Sequence, residues 1–312
     1  MSFSAQDVAK LREITGAGMM DCKKALTHVG GDMQKAADYL REQGVAIAAK
    51  KANRLASEGV VAAYTTSNGL VGAAVEVNSE SDFVAKSDDF IDLANKIACH
   101  VANKNPSDTD TALSQKFCCD ESITVQDLIN QATAKIGEKL SFRRFSRFEI
   151  SAGHIESYIH MGGKIGVLLQ IKSEKEIADK AQISELGRDI AMHIAAFSPK
   201  YISEAEVPQE DIQHEKTILK AQIVNDPKAA GKPEAVVSKM IDGRISKYLK
   251  EICLVDQDFA KDPSKTVGLL LEEFSKKIGN KLKIEKFTRF VMGEGLEKKV
   301  DNLAEEVAKL QQ

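Results

Sequence analysis

The residues of this 312-residue chain most open to a chemical role lie in one short run, Asn78-Ser79-Glu80-Ser81-Asp82-Phe83-Val84-Ala85-Lys86. A strand pattern precedes it and a helical pattern follows. Ser81, Asp82, Phe83 and Val84 therefore fall on a strand-to-helix loop, where functional side chains concentrate. A plainer reading has Phe83 plugging the local core and Asp82 capping the helix that follows. Spacing leaves both readings open.

Other reactive residue types form no catalytic set. There is no Gly-x-x-x-x-Gly-Lys-Ser/Thr loop, so the chain is not itself a standard P-loop GTPase. The six histidines lack ligand spacing. Cys22, Cys99, Cys118, Cys119 and Cys253 fit no zinc or redox motif and read as reduced thiols of an intracellular protein. The expectation is a protein that is not an enzyme, with no cofactor or metal of its own. Phe142-Arg143-Arg144-Phe145-Ser146-Arg147-Phe148 mixes basic and aromatic residues as nucleic-acid binders do, but a half-buried strand produces the same alternation. A net charge of -3 and the absence of tryptophan disfavour direct nucleic-acid binding. No basic-then-apolar leader and no run of 18 apolar residues is present, so no membrane role and a cytoplasmic location are expected.

The elements that position this loop follow from periodicity. Val8, Leu11 and Ile14, then Cys22, Ala25, Leu26 and Val29, then the stretch from Asp32 to Tyr39-Leu40 predict three short helices, the last ended by Gly44. Residues 46–58 read as a helical or extended linker. Gly59 to Thr66 and Leu70 to Val77 read as strands joined at Ser67-Asn68-Gly69, a hairpin signal. Phe90, Leu93, Ile97 and Val101 line one face of the next helix.

The segment then recurs. Tyr64, Gly72, Val77, Ser79 and Glu80 match Tyr158, Gly166, Ile171, Ser173 and Glu174. Leu93, Ile97, Ala98 and His100 match Leu186, Ile190, Ala191 and His193. Lys135-Ile136-Gly137, Leu140, Phe145, Arg147 and Phe148 match Lys277-Ile278-Gly279, Leu282, Phe287, Arg289 and Phe290. Two α+β halves, 59–150 and 151–290, account for the alignment. The loop at Asp82-Phe83 differs from its counterpart around Lys175-Glu176-Ile177-Ala178. The second half carries an insertion whose apolar stripes, Ile212, Leu219 and Ile223, then Val237, Ile241, Ile245, Tyr248 and Ile252, predict an antiparallel helical hairpin over about 208–253. Its join is punctuated by Asn225-Asp226-Pro227 and Gly231-Lys232-Pro233. Leu296 to Leu310 reads as an amphipathic helix within a C-terminal helical module at 291–312.

At these residues the chain resembles the bacterial elongation factor Ts family over nearly its whole length. Leu11 to Leu26 (LREITGAGMMDCKKAL) is similar to that family's N-terminal motif, and Ser81-Asp82-Phe83-Val84 meets its Thr-Asp-Phe-Val motif with serine keeping the hydroxyl. His160 to Val167 and Pro263 to Gly268 are similar to further segments. The resemblance implies a ubiquitin-associated-like module at 1–45, the two-part core, the hairpin, and a partner, the GTPase elongation factor Tu, whose bound GDP is exchanged. It also implies that Asp82 and Phe83, within Ser81 to Val84, act at the partner's magnesium site. Lys23, Ile136, Gly137 and His160 would be contact positions. The family's Val-Met pair before Glu-Pro-Ser-Lys is Ala260-Lys261 here, before Asp262, so that contact is not purely apolar.

Overall fold

A computed structural model describes residues 3–224 and 234–297. Three helices come first: α1 (Ala5–Thr15), α2 (Met19–His28) and α3 (Met33–Lys51). Ser4 and Asp7 form a capping box on α1, and Gly16 ends it in the left-handed conformation. Val8, Leu11, Cys22, Ala25, Leu26 and Ala36 form the small core these helices share. The third helix does not stop at Gly44 as its composition suggests. It runs through Gly44 to Lys51, where α3 crosses the later helix α7 and Gly44 is buried against the Asn130 backbone. The lost helix propensity of glycine, about 1 kcal/mol, is offset by that close crossing.

The rest is mixed helix and antiparallel sheet, an α+β fold. After β1 (Glu58–Thr65) and β2 (Val71–Ser79) come α4 (Asp82–Ala85), α5 (Asp88–Lys104), α6 (Thr109–Ser114), β3 (Lys116–Phe117), β4 (Asp120–Thr124), α7 (Val125–Ile136) and β5 (Ser141–Glu149). Then follow β6 (Gly153–His160), β7 (Ile165–Ser173), α8 (Lys180–Phe197), α9 (Gln209–Val224), α10 (Glu234–Ile252), β8 (Asp258–Phe259), β9 (Asp262–Thr266), α11 (Val267–Ile278) and β10 (Leu282–Val291). The two main sheets have strand orders β1-β2-β5 and β6-β7-β10.

Alternation in the strands assigns their faces. Val60, Ala62, Ala73, Val75 and Val77 pack on Phe90, Leu93, Ile97 and Val101 of α5. Val61 and Ala74, pointing the other way, meet Ile155 and Leu168 of the second sheet. Val167, Leu169 and Ile171 turn from that interface toward Ile183, Leu186, Ile190 and Ile194 of α8. The sheets thus pack face to face with α5 and α8 on their outer sides.

The basic-aromatic run is β5, as the strand reading predicts, with one irregularity. A bulge sets Val77 opposite Phe142 and Glu76 opposite Arg144, leaving Arg143 extra. Both arginines then reach Glu76, whose side chain is fully buried: Arg143 Nη1 at 2.9 Å and Arg144 Nε at 2.6 Å. The Gly293 amide donates to the same carboxylate at 2.8 Å. Burial pushes this carboxyl up, but the bonds from Gly293, Arg144 and Arg143 outweigh it and hold its pKa below the ordinary value.

Helices α9 and α10 share a separate cluster of Leu219, Ile245, Leu249 and Ile252 with Val207 and Cys253. The residues expected to join them, 225–233, lie outside the described residues. So does the expected C-terminal helix from 298 onward. The start of that module, 291–297, is the end of β10 and a turn rather than helix, with the Met292 amide donating to the Lys164 carbonyl at 2.9 Å. No described helix is long and apolar enough to cross a membrane.

Candidate functional site

The loop after β2 is a single helical turn gripped from below. Glu138 Oε2 accepts the amides of Glu80 (3.1 Å) and Ser81 (3.0 Å), and Ser81 Oγ donates to Glu138 Oε1 at 2.6 Å. Glu80 Oε1 in return accepts the Lys139 amide at 2.6 Å. Ser81, not Asp82, is the N-cap of α4; its hydroxyl accepts from the Val84 amide. Val84 packs on the first core and Ala85 is buried. Backbone anchorage and these two apolar residues fix the turn, so neither Asp82 nor Phe83 is needed to hold it.

Phe83 points into solvent at 83% exposure. The plug reading fails, and the reason is visible in the second half. Ile177, in the corresponding loop, is the buried apolar residue of that segment at 8% exposure. In the first half Val84 and Ala85 fill that need. A phenylalanine left in water exposes a large rigid apolar surface with no gain to the fold. Asp82 beside it is bonded to Lys86 at 2.6 Å, both partners being exposed. The Lys86 hydrogen bond holds the carboxyl below its usual range, with the charges of Lys86 and Lys164 adding to it. An exposed pair of this kind is weak and can be exchanged for another partner.

Two other predicted positions, Ile136 and Gly137, adjoin the clamp on this turn. Ile136 ends α7 and packs on the first core, and Gly137 caps the helix in the left-handed conformation, immediately before the clamping Glu138. His160 ends β6, with Nδ1 2.9 Å from the Tyr158 hydroxyl. The tight turn after it carries Met161, 70% exposed at φ 49°, and leads to Lys164, which pairs with Glu58 at 3.2 Å. The two remaining sites stand apart. Lys23 is exposed on α2, the helix that also exposes Met19 and Met20. Ala260-Lys261 forms the β8–β9 turn, and Lys261 Nζ is tied to Asp189 of α8 at 2.5 Å.

Glu138, Lys86 and Lys164 also bear on the candidate turn, and sequence reasoning assigned no role to any of them. Lys86 was legible as an i,i+4 partner of Asp82. Glu138 was legible only by contrast with its repeat counterpart Asn280, which holds the Lys175 loop by an amide instead, through Lys175 N to Oδ1 at 3.1 Å.

Two histidines serve the fold. His100 and His193 are fully buried; each accepts a backbone amide at Nδ1 (Cys118 and Ala260) and meets a glutamine oxygen at Nε2 (Gln115 and Gln257). Burial pushes both imidazoles below their usual value. A cleft of about 600 Å³ lies beside the crossing of α3 and α7, lined by Tyr39, Gly44 and Ile47 from α3 and by Ser122, Ile123 and Gln131 from β4 and α7. It is bridged by Arg41, bidentate to Asp127 at 2.6 and 3.1 Å. None of the predicted site residues lines it.

Comparison with known proteins gives one consistent result. The family model described as Elongation factor TS matches residues 80–294. A Clostridium perfringens protein named Elongation factor Ts is 48% identical over 308 residues, covering 99% of both chains. Proteins of the same name from Clostridioides difficile and Trichlorobacter lovleyi are 47% and 44% identical, each over 99% of this chain and 98% of their own. The chain belongs to the elongation factor Ts family, whose members are translation elongation factors of protein biosynthesis.

Proposed function

We propose that the chain is a guanine-nucleotide exchange factor that binds the GTPase elongation factor Tu in its GDP form and promotes GDP release without covalent chemistry. The carrying observation is Phe83, 83% exposed on a turn that Glu138 clamps rigidly. A GTPase holds GDP partly through a magnesium ion that bridges phosphate and protein oxygens. Magnesium demands near-ideal octahedral geometry, so small displacements of its ligands cost affinity. Phe83 enters as the wedge and Asp82 as a competing acceptor or repulsive charge, with Ser81 and Val84 holding the pair in place. Linkage then requires that GDP weaken binding of the factor as much as the factor weakens GDP. Excess GTP completes the cycle.

The same reading makes Lys23, Ile136, Gly137, His160, Ala260 and Lys261 partner contacts. It divides the chain into a ubiquitin-associated-like unit at 1–45, a linker at 46–58, halves at 59–150 and 151–290, a hairpin at about 208–253 and a C-terminal module at 291–312. The exposed Ile14, Met19 and Met20 support docking by the first unit. The matched sheet orders and the paired histidine networks support duplication of the core. The engagement of Arg143, Arg144 and Arg147 by Glu76, Ala102 and Glu149 supports a role without direct nucleic-acid binding. The place of action is the cytoplasm. The test is release of labelled GDP from purified elongation factor Tu. A rate that rises with added protein supports the proposal, and an unchanged rate refutes it.

A further inference from the structure

Three cysteines that sequence spacing leaves unrelated converge in the fold. Cys99 lies near the end of α5, and Cys118 and Cys119 form the turn between β3 and β4. Their sulfurs all lie within 4.8 Å of one another, and the Sγ atoms of Cys118 and Cys119 are 3.5 Å apart. All five cysteines are free thiols.

The two elements are locked together where the thiols meet. The Cys118 amide donates to Nδ1 of the buried His100 at 3.2 Å, one residue from Cys99. Because Nδ1 accepts, Nε2 carries the proton and donates to Gln115 Oε1 at 3.0 Å. Both ring nitrogens are used, so His100 positions the turn and is not itself a ligand. The Asn103 amide group donates to Cys99 Sγ at 3.4 Å, an outer contact of the kind that steadies metal-binding sulfurs.

The second half builds the same scaffold without thiols. There the Ala260 amide donates to His193 Nδ1 at 3.2 Å, and Met192, Ala260 and Lys261 stand where the first half has Cys99, Cys118 and Cys119. The turn therefore needs no cysteine to form. Three exposed or half-exposed thiols are an addition to a fold that is complete without them.

We propose that Cys99, Cys118 and Cys119 form a three-thiolate site for a soft, thiophilic metal cation. Sulfur ligands select zinc or cuprous ions over magnesium and calcium. At a zinc–sulfur distance of about 2.3 Å, tetrahedral ligands stand ~3.8 Å apart, so side-chain rotations alone close the cluster. Three metal–sulfur bonds form and three thiol protons leave to solvent; no oxidant or reductant is consumed. Cys119 is exposed, which leaves the fourth position to water. The site ties the end of α5 to the β3–β4 turn. Asp82 precedes the opposite end of α5, so the two sites are separate along a helix roughly 25 Å long.

The test uses the reduced, untagged full-length chain with Zn²⁺ as probe. One zinc per chain should be retained, and intact mass after alkylation should show three thiols shielded by it. Cd²⁺ should add a thiolate-to-metal absorption band. Cys99→Ser and the Cys118→Ser/Cys119→Ser pair should bind zinc at least tenfold more weakly, with circular dichroism and melting temperature in the absence of metal matching wild type. A wild-type chain that retains no zinc overturns the proposal. So does a triple variant, Cys99→Ser/Cys118→Ser/Cys119→Ser, that binds zinc as tightly as wild type, since the ligands would then lie elsewhere.

Discussion

Ser146 Oγ and Thr288 Oγ1 lie 2.9 Å apart, although the two residues are 142 positions apart in sequence and stand at the same place in β5 and β10. Equivalent residues of two similar units can touch each other only near the axis that relates the units, as in an isologous interface. The contacts around them run both ways. A Cβ on Gly72 would meet Ile155, and one on Gly166 would meet Val61. A Cβ on Gly69 would meet His154, and one on Gly163 would meet Val60. These reciprocal contacts are the pattern a two-fold axis between the two sheets produces, and the exposed Phe83 has no counterpart across it, since Ile177 in the corresponding loop is buried.

Phe83→Ala separates wedge from plug. With the ring 83% exposed, truncation should change stability by no more than about 0.5 kcal/mol. Stimulated GDP release from elongation factor Tu should nevertheless fall by roughly tenfold or more, a loss of about 1.4 kcal/mol in the transition state. Thermal unfolding and fluorescent GDP release measure the two quantities on the same preparation. A variant that melts early and exchanges normally would reverse the assignment.

Asp82→Ala should slow release by a similar factor, and the effect should depend on magnesium. If the carboxylate acts on the ion, chelation removes its target and the gap between variant and wild type should close. Lys86→Ala provides the complementary case. It frees Asp82 from its 2.6 Å partner, and release should be at least as fast as wild type. Equal gaps at all magnesium concentrations would remove the ion from the mechanism.

Much of this was legible in the sequence because the signals were periodic. The α5 stripe and the strand nature of Phe142 to Phe148 follow from two simple repeats, 2 and 3.6, and the hairpin from its Ser67-Asn68-Gly69 turn. What was not legible depends on contacts distant in sequence. Gly44 reads as a helix stop, and the helix continues through it at the crossing with Asn130. Asp82 reads as the cap in sequence, whereas Ser81 holds that place, anchored by Glu138 from 57 positions away. The bulge at Arg143 is invisible in a regular alternation, yet it places two guanidinium groups on Glu76. The convergence of Cys99 with Cys118 and Cys119 is equally a property of topology.

Glu76→Gln tests the buried cluster. The amide keeps the shape but leaves two partly buried guanidinium groups without their counter-charge, which should cost about 3 kcal/mol. The pH dependence has a definite sign. The folded carboxyl titrates below its ordinary value of 4.5, so the unfolded chain binds the extra proton first. The stability it contributes is present above about pH 4.5 and is lost as pH falls through the lower folded value. Denaturant unfolding of wild type and variant should therefore differ most near neutrality and converge in acid.

Arg41→Ala should loosen the first three helices without unfolding the sheets. The pair with Asp127 bridges α3 and α7, and Asp127 keeps its capping bonds to Thr124 when Arg41 is gone. Arg41 is 42% exposed at its side chain, so the loss should be near 1 kcal/mol at most. Hydrogen exchange should rise in α1 to α3 and stay level in β1, β2 and β5. Uniform loss of protection would mean that the helical unit and the core unfold together.

Gly166→Ala tests the face-to-face packing of the sheets. No left-handed backbone is demanded at Gly166, so only space forbids a side chain there; the new Cβ would overlap the Cγ1 methyl of Val61. Overpacking of this kind should cost about 1–3 kcal/mol. Val61→Ala removes that methyl and alone should destabilise through the space it leaves, by about 1–2 kcal/mol. Together the two changes add one carbon at position 166 and remove two at position 61, the clashing Cγ1 among them, so the double variant should be more stable than the sum of the two losses predicts, with a coupling of at least 0.5 kcal/mol. Gly72→Ala with Ile155→Val is the related exchange across the axis, because a Cβ at Gly72 would stand 2.7 Å from the Cγ2 methyl of Ile155. Valine keeps a methyl at that branch point, so this second pair should recover less. Strictly additive losses in the Gly166 and Val61 cycle would mean that the two sheets do not meet through these residues.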